Sequence, residues 1–508
     1  MDKWPQELYD HVVSFYLKGT YTSNPAFLAL ATVSRKFQNS VERHTFRKIL
    51  FTATDSKLDD FTNIFTPRRR SFLRDLAIRM VLPPYPSECF TEFETDQDRR
   101  ANNEAITAAL KRIFCLISTL YDRDDNITPM LRLHIFGPHS PSDKGTRWFL
   151  STKVPPNRPF PLRLDLNAAR YKFSLLDLTS DLSDFPPLLC VREFTISGGR
   201  RNWSPRAAVL LSTKMVQAKS ISWNLEYRED SWGRYYSIDR RFRNELVQSI
   251  MSADLPASTT RFSCNIPGPF ANNWQMLLPQ FITPGDHDPV SCAFRRLTRH
   301  CTYVHIMGPI HATFFDPPAD LPNGVEQSWN SVETLKATVS MHNPEGKWLF
   351  RLENGVDEDR NPLITLDQLP PGYGDTKEEL EEREKYYFRH MVDPDIREEP
   401  ERVIPNDIEL NALFTAFARA CCRLPKLKEA SVEVVCMGRD IWQYEVGCLA
   451  PGTPSPRGKP MPSHDINSWR VYFYLHRWQP SKSTLDELKM IGRTRDGWDP
   501  VFLWGESM

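Results

Sequence analysis

The sequence predicts a mixed α/β (α+β) protein: a three-helix module over residues 1–50, followed by an irregular strand-helix solenoid. Two observations predict it. Apolar residues in the first fifty positions recur at helical spacing. Beyond Phe51, an apolar anchor followed after two residues by apolar positions in alternation keeps returning, with helical stretches between the copies. A strand written this way has one apolar face, which it buries by stacking on its neighbours.

In the module, Pro5 suits a first helical turn because its missing N–H would be an orphan there anyway. Leu8, Val12, Phe15 and Tyr16 then share one face of a helix running from about Pro5 to Leu17. Asn24 as N-cap with Pro25 at the first helical position opens a second helix carrying Phe27, Leu30 and Val33 on one side. Ser34 caps a third, whose buried side is Phe37 and Val41. Three helices of this size bury too little surface to stand alone, so the module leans on a partner or on the chain that follows.

The order Pro5-x-Glu7-Leu8, an apolar first helix, then Leu30-x-x-Val33-Ser34-Arg35-Lys36-Phe37 resembles an F-box, the motif that docks a substrate receptor onto the Skp adaptor of cullin-RING ubiquitin ligases. The resemblance covers about Trp4 to Phe51 and implies adaptor contact for Pro5, Leu8, Val12, Val33 and Phe37. Trp4 stands where Leu is usual, Phe37 where Trp is usual, and Lys18 to Asn24 makes a long first connection. With the Arg68-Arg69-Arg70 run and a tryptophan-rich tail, the wider pattern is similar to a family of F-box proteins of filamentous fungi. The resemblance implies a receptor that does no bond chemistry itself. Its partners are a Skp-type adaptor, through it a cullin, and a protein target. A non-ligase scaffold with the same fold, and an enzyme with a non-contiguous site, stay open as alternatives.

A chain of 508 residues has material for two to four domains or one extended array. Lys plus Arg equals Asp plus Glu at 64 each, so no global field draws it to nucleic acid or to an anionic membrane, and neither is expected as a partner. Aromatic content of 12% argues against a disordered chain. The ten cysteines form no Cys-x-x-Cys pair, which suits buried thiols in a reducing compartment, cytoplasm or nucleus. No apolar leader opens the chain and no run approaches a membrane span.

The strand pattern appears at Leu73, Leu76, Ile78, Met80 and at Val191, Phe194, Ile196. Further copies are Ala218, Ile221, Trp223, Leu225; Thr259, Phe262, Cys264, Ile266; Cys301, Val304, Ile306; Val332, Leu335, Ala337, Val339; and Leu427, Ala430, Val432, Val434. Weaker copies lie at Leu131, Leu133, Ile135 and at Leu162, Leu164, Leu166. Helices are expected over Asn103 to Tyr121, Arg240 to Ala253, Val290 to Arg299 and Ile408 to Arg423. The unit resembles a leucine-rich repeat, which F-box receptors often carry as their target-binding part. The Asn or Cys of that family is replaced by Gly199, Glu226, Pro267, Pro309 and Ser340, and a sheet with helices on both faces would give the same alternation. In a solenoid, the strand residues pointing away from the core line a concave face. Candidate target-binding residues are therefore Arg132, His134, Arg163, Asp165, Ser222, Asn224, Asn265, His305 and Lys336, which the solvated side of any strand would equally supply.

The array is expected over 51–342. Residues 343–405 read as a charged, Pro/Gly-rich insertion with one exposed helix at Lys377, Glu381 and Lys385, and 406–508 as C-terminal strand-helix units closed by the aromatic run Trp498 to Trp504. Each enzyme signal fails on spacing. Asp122, Asp124 and Asn126 imitate a calcium loop, but Ile127 replaces the turn glycine and Leu133 the bidentate acid. No zinc, phosphate-loop or nucleophile-elbow motif occurs, so no catalytic residue, metal or cofactor is expected. The three consecutive arginines, with Arg74 four residues on, read as a solvated basic turn, with weak phosphate contact or a nuclear signal as the alternatives.

Overall fold

The computed structural model describes residues 4–17, 25–86, 89, 94–121, 130–143, 170–171, 174–199, 201–225, 236–266, 280–283, 285–317, 329–352, 402–437, 441–456 and 466–505. Helix α1 (Gln6–Leu17) is followed by the short α2 (Pro25–Ala29), a 3-10 turn (Leu30–Thr32) and α3 (Arg35–Thr45). Ser34 caps α3, its Oγ accepting from the Phe37 N–H at 3.2 Å. Only Phe46 and Arg47 then separate α3 from the first strand, β1 (Lys48–Thr52).

The chain continues through α4 (Asp55–Ile64), α5 (Pro67–Arg70), β2 (Asp75–Val81), α6 (Asp96–Tyr121) and β3 (Leu131–His139). Two-residue strands β4 (Leu175–Leu176) and β6 (Asn202–Trp203) pair with each other on either side of β5 (Val191–Ser197) in the sequence. Next come α7 (Pro205–Thr213), β7 (Ser220–Asn224), α8 (Tyr236–Met251), β8 (Arg261–Asn265), α9 (Pro289–Leu297), β9 (Tyr303–Gly308) and β10 (Thr334–Val339). The last part holds β11 (Phe350–Leu352), β12 (Arg402–Pro405), α10 (Asp407–Arg423), β13 (Glu429–Met437), β14 (Ile441–Leu449), β15 (Arg470–Tyr474), α11 (Lys482–Asp496) and β16 (Val501–Trp504). The helix starts follow local chemistry: Ser204 before Pro205 and Asp288 before Pro289 each place a capping oxygen and a proline where the first N–H groups are orphans.

Twelve strands make one sheet in the order β1-β2-β3-β5-β7-β8-β9-β10-β13-β14-β15-β16, each beside the preceding strand of that sheet. All neighbours run parallel except β13–β14 and β14–β15. Leu76, Ile78 and Met80 of β2, Ile221 and Trp223 of β7, and Val304 and Ile306 of β9 are buried, while the positions between them are half-exposed or exposed. A parallel sheet covered on both faces is buried at nearly every position. From β2 to β10 this sheet is therefore packed on one face, and the two-faced alternative fails there. That face meets Ile106, Leu110, Ile113, Phe114 and Ile117 of α6 and the inner sides of α7 to α11 in one apolar cluster running from Ala53 to Ile491. Two indole N–H groups inside it find partners: Trp223 Nε1 donates to Ser212 Oγ at 2.8 Å, and Trp329 Nε1 to Thr298 Oγ1 at 3.0 Å.

Several boundaries differ from expectation. The sheet begins at Lys48, inside the expected module, because α3 runs almost directly into β1. The insertion starts later than 343: Leu349 donates to the Met341 carbonyl at 2.8 Å, and β11 pairs antiparallel with β12, so both flanks belong to the fold. The exposed helix around Glu381 and the strand at Leu162, Leu164 and Leu166 fall outside the described residues. The closing aromatics lie at the end of the sheet, where Phe502 packs against the core and Trp504 stacks on Phe473. They form the edge strand β16 and its approach, with Trp498 79% and Trp504 51% exposed. Among the described residues, no helix is long and apolar enough to cross a membrane.

Candidate functional site

The amino-terminal helices have a small core of their own. Val13 of α1, Phe27 of α2 and Val41 of α3 are buried against one another, with Leu30, Ala31 and Phe37 packed around them. Tyr9, also buried, meets the Phe37 ring edge-on at 4.8 Å and 85°. A polar strap ties α1 to α3: Gln6 Nε2 donates to Ser40 Oγ at 2.7 Å, Ser40 Oγ to Asp10 Oδ1 at 2.5 Å, and Arg43 Nη1 to Asp10 Oδ2 at 2.6 Å. Ser14 Oγ lies 3.3 Å from His44 Nε2, and burial lowers the pKa of that histidine.

These contacts leave other apolar groups uncovered. Leu8, Val12 and Phe15, at i, i+4 and i+7 along α1, are 47%, 47% and 75% exposed, and Val33 in the turn before α3 is 57% exposed. Pro5 is exposed at the start of α1, where its carbonyl accepts from the Leu8 N–H. Of the five residues assigned to adaptor contact, four thus face outward. Phe37 is half-buried and serves the module's core. Sequence reasoning left Phe15 and Leu28 off the site, although both are exposed apolar groups of this module.

The module is clamped to the sheet body by the arginine run. Arg68 and Arg69 of α5 pair with Glu42 of α3, at 3.1 and 2.9 Å, and Arg69 lies over the Phe46 ring at 4.6 Å. Arg70 donates to the Phe65 carbonyl at 2.8 Å. The run is therefore a structural joint and not a solvated turn.

The second surface is the face of the sheet that, among the described residues, no helix covers. Register aligns His134, Thr195, Ser222, Ser263, His305 and Lys336 in one row across β3, β5, β7, β8, β9 and β10. Arg132 lies in the row on one side of it, Asn224 and Asn265 in the row on the other. Seven of the nine expected target-binding residues are thus brought onto one face; Arg163 and Asp165 fall outside the described residues. Many are partnered across strands. His134 Nε2 lies 2.7 Å from Ser197 Oγ, Ser263 Oγ donates to Ser222 Oγ at 2.8 Å, and Lys336 Nζ pairs with Glu429 at 2.7 Å. Arg132 Nη2 donates to Asp75 at 2.8 Å. Burial lowers the pKa of His134, and burial followed by the nearby Lys336 lowers that of His305. Sequence reasoning missed Arg79, Phe136, Arg261 and Tyr303 on this face, though the same two-residue period would have found them.

Among the described residues, no group of three or more His, Cys, Asp or Glu could hold a metal ion. The buried thiols of Cys421 and Cys448 lie 3.6 Å apart, and burial raises the pKa of Cys421 well above the ordinary thiol value. No protein-family model matches this chain, and neither a curated protein nor a solved structure matches it.

Proposed function

We propose that this chain is an F-box-type substrate receptor. In this proposal α1 to α3 dock a Skp-type adaptor, through it a cullin-RING ubiquitin ligase is recruited, and the strand-helix array, read as a degenerate leucine-rich-repeat-like solenoid, holds a target protein. The chain makes and breaks no bonds. It works by effective concentration, two binding surfaces on one body bringing a target lysine to a charged E2. The observation that carries the reading is the row of uncovered apolar groups Leu8, Val12, Phe15 and Val33 on a module whose own core is already complete without them. The clamp at Glu42 supports it too, because a module fixed to its platform holds the two surfaces in one orientation.

The test is capture of a purified Skp-type adaptor by the full chain, followed by mass spectrometry of cullin recovered from cells. Adaptor bound together with cullin supports a ligase receptor. Adaptor bound without any cullin would leave a scaffold, and a chain that ignores the adaptor loses the proposal altogether.

A further inference from the structure

We propose that the uncovered sheet face between β1 and β10 docks an extended acidic polypeptide segment through two ring-stacked arginines, Arg79 and Arg261. This deepens the platform half of the proposed function and rests on it. Arg79 of β2 lies over the ring of its register partner Phe136 on β3, 5.5 Å from the centroid. Arg261 of β8 lies over its register partner Tyr303 on β9 at 4.2 Å. Both arginines are exposed, and among the described residues neither meets a carboxylate.

Charge bookkeeping on the face points the same way. Arg132 is neutralised by Asp75, and Lys336 by Glu429. What remains charged on β1 to β10 is Lys48, Arg79, Arg192 and Arg261 against Glu193, an excess of positive charge in a chain whose net charge is zero. A guanidinium lying on a ring keeps its in-plane N–H donors available, and that fork matches a carboxylate. The floor between the two arginines is uncharged: Thr195, Ser222 and Ser263 in the middle row, Asn224 and Asn265 beside them. Short side chains there let a peptide backbone approach, and Glu193 of β5 lies one row to the side of the line between the arginines.

The two arginines are separated by four steps across the sheet, β2-β3-β5-β7-β8, and by four residues along the register. At the ordinary spacings this is roughly 19 Å across and roughly 13 Å along, about 23 Å in all, which an extended chain covers in about seven residues. The occupant is therefore a segment with two carboxylates about seven residues apart. A duplex or single strand of nucleic acid fits less well, because two isolated guanidinium groups do not track a continuous line of phosphates.

The experiment is fluorescence anisotropy of the full chain with a labelled, otherwise uncharged peptide carrying two Glu about seven residues apart. A Gln-for-Glu peptide and a single-stranded oligonucleotide of the same length serve as comparisons. The Glu peptide is expected to bind, more weakly as salt rises, and at least about tenfold more weakly to the chain with Arg79→Gln plus Arg261→Gln. Each single variant, tested alongside, should show an intermediate loss and an unchanged melt. Equal binding of the Glu and Gln peptides overturns the proposal, as does full binding by the double variant or tighter binding of the oligonucleotide. Adaptor capture is measured on the same samples. A chain that binds the Glu peptide but no adaptor removes the ligase reading alone, and one that captures adaptor but ignores the Glu peptide removes this inference alone.

Discussion

Glu42 of α3 and Arg69 of α5 form an ion pair 2.9 Å apart, and Arg68 reaches the other carboxylate oxygen at 3.1 Å. The carboxylate side chain is only 10% exposed, so two guanidinium groups share a mostly buried anion at the joint between the helical module and the sheet. Glu42→Gln is expected to cost about 1 to 3 kcal/mol, since hydrogen bonds to a charged group are lost while the arginines, partly in water, are re-solvated. Urea unfolding of the full chain checks the size of the loss. Adaptor capture by the same variant should persist, because none of the outward apolar groups is touched.

Two neighbours in α1 should behave in opposite ways. Val13 is 0% exposed and Phe15 75%. Val13→Ala removes methyl groups from a small core and should cost about 1 to 3 kcal/mol, read as faster amide exchange across α1 to α3. Phe15→Ser should leave stability within about 0.5 kcal/mol and lower self-association at high concentration.

One-sided packing makes a paired prediction for the sheet. Ile306 of β9 is fully buried, whereas Thr195 of β5 lies on the uncovered face. Ile306→Ala should cost about 2 to 5 kcal/mol and Thr195→Ala no more than about 0.5 kcal/mol, by denaturant titration. Comparable losses at both positions would mean that helices cover both faces.

Acid should weaken the fold before it reaches the carboxylate range. Burial lowers the pKa of His134 and, together with Lys336, that of His305 below the ordinary value of 6.5. Between the lowered folded value and 6.5 the unfolded chain binds the extra proton, so stability rises with pH there; it is complete above 6.5 and declines as pH falls below it. Unfolding midpoints measured down from neutral pH should show this decline, and His134→Gln plus His305→Gln should flatten part of it.

Strands β2, β3, β5, β7 to β10 and β13 were legible because a period of two marks both the element and its buried face. Strand β14 was not. Its inward residues Tyr444, Val446 and Cys448 alternate properly, but Gly447 between them reads as an interruption, since glycine weakens a strand interior. The fold supplies the reason for that glycine: a Cβ at 447 would run into the Tyr472 ring on β15. In α1 the helical period found Leu8, Val12 and Phe15, yet it could not say that they face out, because Tyr9 and Val13 one position on are as apolar and take the core. Nor could the sequence pair Arg79 with Phe136 or Arg261 with Tyr303, since each partner lies far along the chain and only strand register brings them together. The joint at Glu42 escaped because its arginine partners sit on a different helix, and only the packing of α3 against α5 brings them together.

The central claim is tested most directly by titrating a purified Skp-type adaptor into the full chain and into the chain with Leu8→Asp plus Val33→Asp, with the heat of binding recorded and both proteins melted in parallel. The account predicts a one-to-one complex with the native chain, no measurable binding by the substituted chain, and melting curves that coincide. Absence of binding by the native chain, or binding that survives both charges, contradicts it.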